Sequence, residues 1–189
     1  EVDFDLHQAG YALCFVDSGV SPAGPHAEYA AIPQEMGEVA ACFGRKVLGE
    51  VTPTAFYANL AAVRESCGDR AVLRAIHYYT ENSIVEQELQ AVQNPDMDAF
   101  LELVRQSGRS SWMFLQNVST CRDPKNQGLG VLLAAAEQLL GREGACRVHG
   151  GGFAGTIQAF VPLRRLDTFR RMMERISGPG SCHVLSFRS

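Results

Sequence analysis

The sequence predicts an α+β fold: a split βαβ sheet of the ferredoxin-like kind, elaborated with additional helices. Three observations carry that reading. The run YALCFVD at 11–17, aromatic and β-branched, has the composition of a strand. Helical periodicity then dominates as far as residue 140. Only beyond residue 145 does the chain read as two strands, a helix and a last strand. The order is β–(helices)–β–β–α–β, the split βαβ arrangement.

Each element has its own justification. Strand 11–17 is a continuous apolar run, so it is expected to be buried on both faces. Gly19, Pro22, Gly24 and Pro25 make 18–26 a loop. Over 27–44, Ile32, Met36, Val39, Ala40 and Phe43 recur at helical spacing, and Gly44 is placed to end the helix. Pro33 has no amide proton to offer the Tyr29 carbonyl, so a kink or a helix start is expected there. Thr52 is a candidate N-cap with Pro53 at the first helical position, for one helix ending at Gly68. Asp69 is placed to cap a long helix over 70–93. Asn94-Pro95 opens the next, with Met97, Phe100, Leu101 and Val104 on one stripe. Ser107, Ser110 and Ser111 are expected just past its end, in capping or turn roles. A helix over 127–140 turns Leu129, Leu132, Leu133, Ala136 and Leu140 inward. Strands at 145–149, 156–161 and 182–187 and a helix at 166–176 complete the chain. Ile157, Ala159 and Val161 share one face of their strand.

Composition narrows the function classes. The 189 residues suit a single domain, with 46% hydrophobic and 20% charged residues. Net charge is −4 and the isoelectric point about 5.7. No broad basic field exists, which argues against nucleic acid or an anionic membrane as a partner. No signal peptide or membrane-length apolar run is present, and a reducing, cytoplasmic setting is expected. Six cysteines occur without CxxC pairs or zinc spacing, and no HExxH motif occurs, so no metal site is expected. Cys14, Cys146 and Cys182 lie in apolar runs and read as small buried hydrophobes. The chain begins at Glu1 and soon enters a strand, so it is expected to be the downstream part of a longer protein.

Few stretches carry chemistry. In RVHGGGFAGT, Gly150, Gly151, Gly152 and Gly155 exceed what a hairpin turn needs. They serve either a positive-φ turn or a backbone that must approach a ligand or another loop closely. Neither the GxGxxG-to-helix context nor the GK[ST] of a phosphate loop is present. His77 and Glu81 sit at i and i+4 and are expected to satisfy each other on a helix face. Arg164, Arg165, Arg170, Arg171 and Arg175 interleave with Asp167 and Glu174, which reads as a solvated face.

Four segments in order resemble the galactokinases of the GHMP small-molecule kinase superfamily. RVHGGGFAGTIQAFV resembles the motif R-M-T-G-G-G-F-G-G and the strand after it, and AEYAAIPQEM resembles S-x-E-Y. RAIHYYTEN resembles the H-V-V-x-E helix, and LVRQSGRSSWMFLQNVS resembles E-S-H-x-S-L…V-S. Departures are Val148-His149 for Met-Thr, Ala154 for Gly, Thr156 for Cys and Gly108 for His. The resemblance implies the C-terminal domain of a kinase that phosphorylates galactose or a related hexose at the anomeric hydroxyl. It implies Tyr29 as a sugar contact, and Gly150, Gly151, Gly152, Phe153, Ala154 and Gly155 as a cleft loop. The family's phosphate loop and catalytic Asp have no counterpart in this chain, so no catalytic residue is assigned to it. ATP and Mg²⁺ are then expected with the intact protein and not on this chain alone. Its partners are the sugar and an N-terminal ATP-binding half. A non-catalytic sugar sensor on the same scaffold is the alternative, and a free-standing ferredoxin-like interaction module a third reading.

Overall fold

Strand β1 (Tyr11–Asp17) forms the centre of a four-stranded antiparallel sheet in the order β2-β3-β1-β4, with β2 at Ala145–Val148, β3 at Thr156–Pro162 and β4 at Cys182–Leu185. The fold is α+β. A computed structural model describes residues 4–19, 26–153 and 155–185, apart from the side chain of residue 26. Tyr11 pairs with Pro162 and Asp17 with Thr156, so β1 and β3 match over their whole length.

Helices cover both faces of this sheet. On one side Cys14, Val16, Ile157, Ala159 and Val161 meet α6 (Gly128–Leu140) and α7 (Leu166–Ser177). The five inward positions expected on α6 are all buried. On the other side Phe160 and Ala145 meet Leu101 and Val104 of α5 (Met97–Ser110), with Leu6 of the N-terminal segment. β1 is therefore fully buried on one face only. Tyr11, Leu13 and Phe15 on the other are half-covered, so the expected two-sided burial holds in part.

A second core lies among the helices. Val39 and Ala40 of α1 (His26–Ala41) pack with Phe56 of α2 (Pro53–Ala58) and Val63 of α3 (Leu60–Cys67). Ala71, Val72 and Ala75 of α4 (Asp69–Gln93) complete it. α1 ends as expected on Gly44 at φ +67°, with Gly44 N–H donating to Ala41 C=O and Arg45 N–H to Ala40 C=O. Thr52 caps α2, its Oγ1 accepting from Ala55 N–H at 3.2 Å.

Five boundary expectations need correction. Asn59 breaks the predicted 52–68 helix into α2 and α3. Gly68, not Asp69, is the N-cap of α4, and the Asp69 carboxylate pairs with Arg64 of α3 instead. α5 is capped by Asp96, which accepts from Ala99 N–H at 2.9 Å. Ser107 and Ser110 lie inside α5, and Ser111 opens the π-helical turn Ser111–Leu115 that continues it. Of the kink or helix start expected at Pro33, the helix start is ruled out, because Pro33 sits on the exposed side of α1 well inside the helix.

Candidate functional site

The glycine loop connects β2 to β3, its base closed by His149 N–H donating to Thr156 C=O at 2.9 Å. Gly150, Gly152 and Gly155 have φ of +67°, +77° and +107°, and Phe153 has +60°. This is the left-handed region that glycine enters without a Cβ penalty. Close approach operates as well. A Cβ on Gly151 would overlap the ring of Tyr29 at its Cε2 edge, and one on Gly152 would overlap the backbone carbonyl of Asn117. Both readings left open by the sequence therefore hold: positive φ at Gly150, Gly152 and Gly155, and close approach at Gly151 and Gly152. Ala154 lies outside the described residues.

Tyr29 stands on the first turns of α1, 56% exposed, with its ring against Gly151. The structure thus brings together the tyrosine and the glycine loop. The expectation for the Tyr29 carbonyl follows from Pro33 lying inside α1, because the residue four positions on has no N–H.

Sequence reasoning missed Asn117. It is 1% exposed, its carbonyl accepts from Phe153 N–H, and its Nδ2 donates to Gly151 C=O at 3.3 Å. The π-helical turn and the left-handed Gln116 that ends it, at φ +58°, deliver Asn117 to the loop. Among residues other than glycine, asparagine is one of those that most readily take a left-handed position. Here the glutamine takes it, and the asparagine is left to hold the loop.

His77 and Glu81 do not satisfy each other. His77 Nδ1 lies 2.9 Å from Ser110 Oγ. Glu81 Oε1 accepts from Ser107 Oγ at 2.5 Å and from Arg147 Nη1 at 2.8 Å. Burial is the main force holding the His77 imidazolium below its ordinary range, opposed by the Glu81 charge. These contacts tie α4 and α5 to β2, one strand residue before the glycine loop's approach. The arginines of α7 and its preceding turn behave as a solvated face: Arg164 and Arg165 pair with Glu143, and Arg170 with Glu174.

Beside Tyr29, the chain turns Glu28 inward. It is 7% exposed, and Oε1 accepts from the Cys121 thiol at 3.5 Å. Arg74, 1% exposed, pairs with Glu35 at 2.8 Å, and Arg70 joins the same carboxylate. Glu28, Cys121, Arg70 and Arg74 line a pocket of about 320 Å³ with Trp112 and Gln116. Cys14, Cys146 and Cys182 are buried as expected, and burial pushes the Cys146 thiol up to about 12. Among the described residues, no group of three or more His, Cys, Asp or Glu could hold a metal ion, and no helix is long and apolar enough to cross a membrane.

This α+β domain, with its glycine-rich hairpin packed on α1, has the fold of a galactokinase domain. It matches the crystal structure of Lactococcus lactis galactokinase complexed with galactose with a TM-score of 0.72, over 97% of this chain and 46% of that one, at 21% identity. In sequence it is similar to the galactokinase of Actinobacillus pleuropneumoniae serotype 3 (strain JL03), 29% identical over 164 residues and 87% of this chain. It is similar also to those of Glaesserella parasuis serovar 5 (strain SH0165), 27% identical over 164 residues and 87% of this chain, and Haemophilus influenzae (strain ATCC 51907 / DSM 11121 / KW20 / Rd), 28% identical over 162 residues and 86% of it. The chain spans about 41% of the length of the first two relatives and 40% of the third. No family model matches it. In sequence and in fold the chain is similar to galactokinases, and it fits a galactokinase C-terminal domain.

Proposed function

We propose that this chain is the sugar-contacting, cleft-forming C-terminal part of a galactokinase-like kinase. The whole protein would transfer the γ-phosphate of ATP to the anomeric hydroxyl of galactose or a related hexose, with Mg²⁺. The relatives' length supports this reading, because it leaves room for an ATP-binding N-terminal half as the second wall of the cleft. The sheet order β2-β3-β1-β4, all antiparallel, supports the ferredoxin-like description of this half.

The observation that carries the proposal is the exposed Tyr29 ring seated on the backbone at Gly151. A ring packed on one side by a loop without a side chain is oriented, while its hydroxyl and outer face remain free for sugar. Asn117 fixes the loop from behind, so the ring's seat is held by buried bonds and not by the loop alone. Phosphoryl transfer rests on positioning and charge stabilisation. We assign this chain the positioning of sugar, and assign it no proton transfer, metal ligand or phosphate contact. ATP and Mg²⁺ would supply the transferred group and its charge neutralisation from the other half.

Kinetics of the full-length protein test this. Removing a tyrosine hydrogen bond and its ring contact is worth about 1–1.5 kcal/mol, roughly tenfold. Tyr29→Ala should therefore raise KM for sugar about tenfold and leave KM for ATP nearly unchanged. Equal effects on both would remove Tyr29 from the sugar site.

A further inference from the structure

We propose that Cys42 and Cys67 form a reactive dithiol that low-molecular-weight disulfides convert into an intramolecular disulfide. Their Sγ atoms lie 3.3 Å apart, although the residues are 25 positions apart in sequence. Cys42 is exposed and Cys67 half-buried, so a small reagent reaches the first and the second waits behind it. The S–S bond needs about 2.05 Å, which leaves roughly 1 Å to close. Cys42 lies in the turn just past α1, where backbone can move without breaking a regular helix. Cys67 is the last residue of α3, immediately before Gly68 at φ +81°. Both partners are thus at helix ends, and the helices they terminate pack in one core.

The chemistry balances. The Cys42 thiolate attacks one sulfur of the external disulfide, and one small thiolate leaves. The Cys67 thiolate then attacks the Cys42 sulfur, and the second small thiolate leaves. Two protein thiols are oxidised, one external disulfide is reduced to two thiols, and the two protons given up by the cysteines end on those products. Burial first, then the hydrogen bond with Cys42, push the Cys67 thiol above its ordinary value. Cys67 is therefore slower to ionise and acts second, losing its proton as it attacks, and the exposed Cys42 is the sulfur that reacts first. The remaining cysteines differ. Cys14, Cys146 and Cys182 are buried, and exposed Cys121 meets the Glu28 carboxylate and not a second thiol.

The test uses the 189-residue chain with Cys121→Ser, treated with oxidised glutathione and followed by mass and peptide mapping. The expected product has lost two hydrogens, carries no glutathione, and links the peptides containing Cys42 and Cys67. Reduction with dithiothreitol should restore it. Adding Cys67→Ser should instead trap one glutathione on Cys42, and this outcome does not depend on any change in stability. A stable glutathione adduct on Cys42 with Cys67 intact would overturn the proposal. So would unchanged thiols after treatment, or a linkage that does not join these two residues. Circular dichroism of each variant checks that the helices persist, and an unfolded variant is replaced by Cys67→Ala for the trapping step.

Discussion

Gly151 and Gly152 are adjacent, yet different constraints act on them. Gly152 is left-handed, and its missing side chain makes room for the backbone of Asn117, which cannot step aside. A branched residue there adds backbone strain of about 1–3 kcal/mol to the steric conflict. Gly152→Val should lower the melting temperature of this chain by at least about 4 °C, measured by thermal unfolding. Gly151 is outside the left-handed region, and its neighbour is the edge of an exposed ring. Gly151→Ala should leave the melting temperature within about 2 °C of wild type, since the ring can swing away. In the full-length protein the same change should raise KM for sugar, much as Tyr29→Ala does. A normal sugar KM would detach the Tyr29–loop contact from function. The sequence shows that these glycines are unusual but not which constraint acts on which. That distinction depends on residues 29 and 117, distant along the chain. Asn117 was illegible for the same reason: nothing local marks a polar side chain that will be buried by a hairpin thirty-odd positions later.

The helices were largely legible because their apolar faces repeat at the helical period, as in α6, and because Thr52, Pro53 and Gly44 carry standard end signals. Boundaries failed where a side chain found a better partner in three dimensions. Asp69 could have capped α4 but pairs with Arg64, and Ser107 and Ser110 could have capped α5 but bond Glu81 and the His77 ring. Pro33 costs α1 one backbone hydrogen bond from an exposed position. Pro33→Ala restores that bond and should stabilise the chain by about 1–3 kcal/mol, read as a shift in denaturant midpoint. An unchanged midpoint would mean that α1 already compensates for the missing amide. The α4–α5 contact also predicts a pH dependence. Burial lowers the folded pKa of His77 below its ordinary 6.5, so the unfolded chain binds the proton more readily. This contribution to stability is complete above pH 6.5 and declines as the pH falls from there through the folded value. Urea unfolding at pH 7.5 and 5.5 should show the decline, and His77→Gln should flatten it. Equal slopes for the two proteins would assign the acid sensitivity to another group.

At the scale of the molecule, the proposed division of labour makes this chain one half of a two-walled site. Incubated with ATP, Mg²⁺ and a panel of hexoses, the 189-residue chain should form no sugar phosphate. Turnover in the usual kinase range of about 1–100 s⁻¹ would overturn that division. The α+β class and the order of strands along the chain were legible as a pattern, since β1 to β4 all fall where the apolar runs place them. The register of each strand pair was not, because which residue of β3 or β4 meets which residue of β1 depends on how the helices between them pack, and nothing within a strand records it. That arrangement also governs how the polypeptide comes into being. β1 is made before both of its partner strands, and Tyr11 must find Pro162 and Leu13 must find Leu185. On the ribosome it therefore waits as an unpartnered apolar ribbon while all the helices up to α6 emerge. Long-range pairing of this kind is slow and leaves strand edges open to the wrong neighbour. A nascent chain of this design depends on its helical core, complete without the sheet, to keep that ribbon apart from other copies until the last two strands leave the exit tunnel.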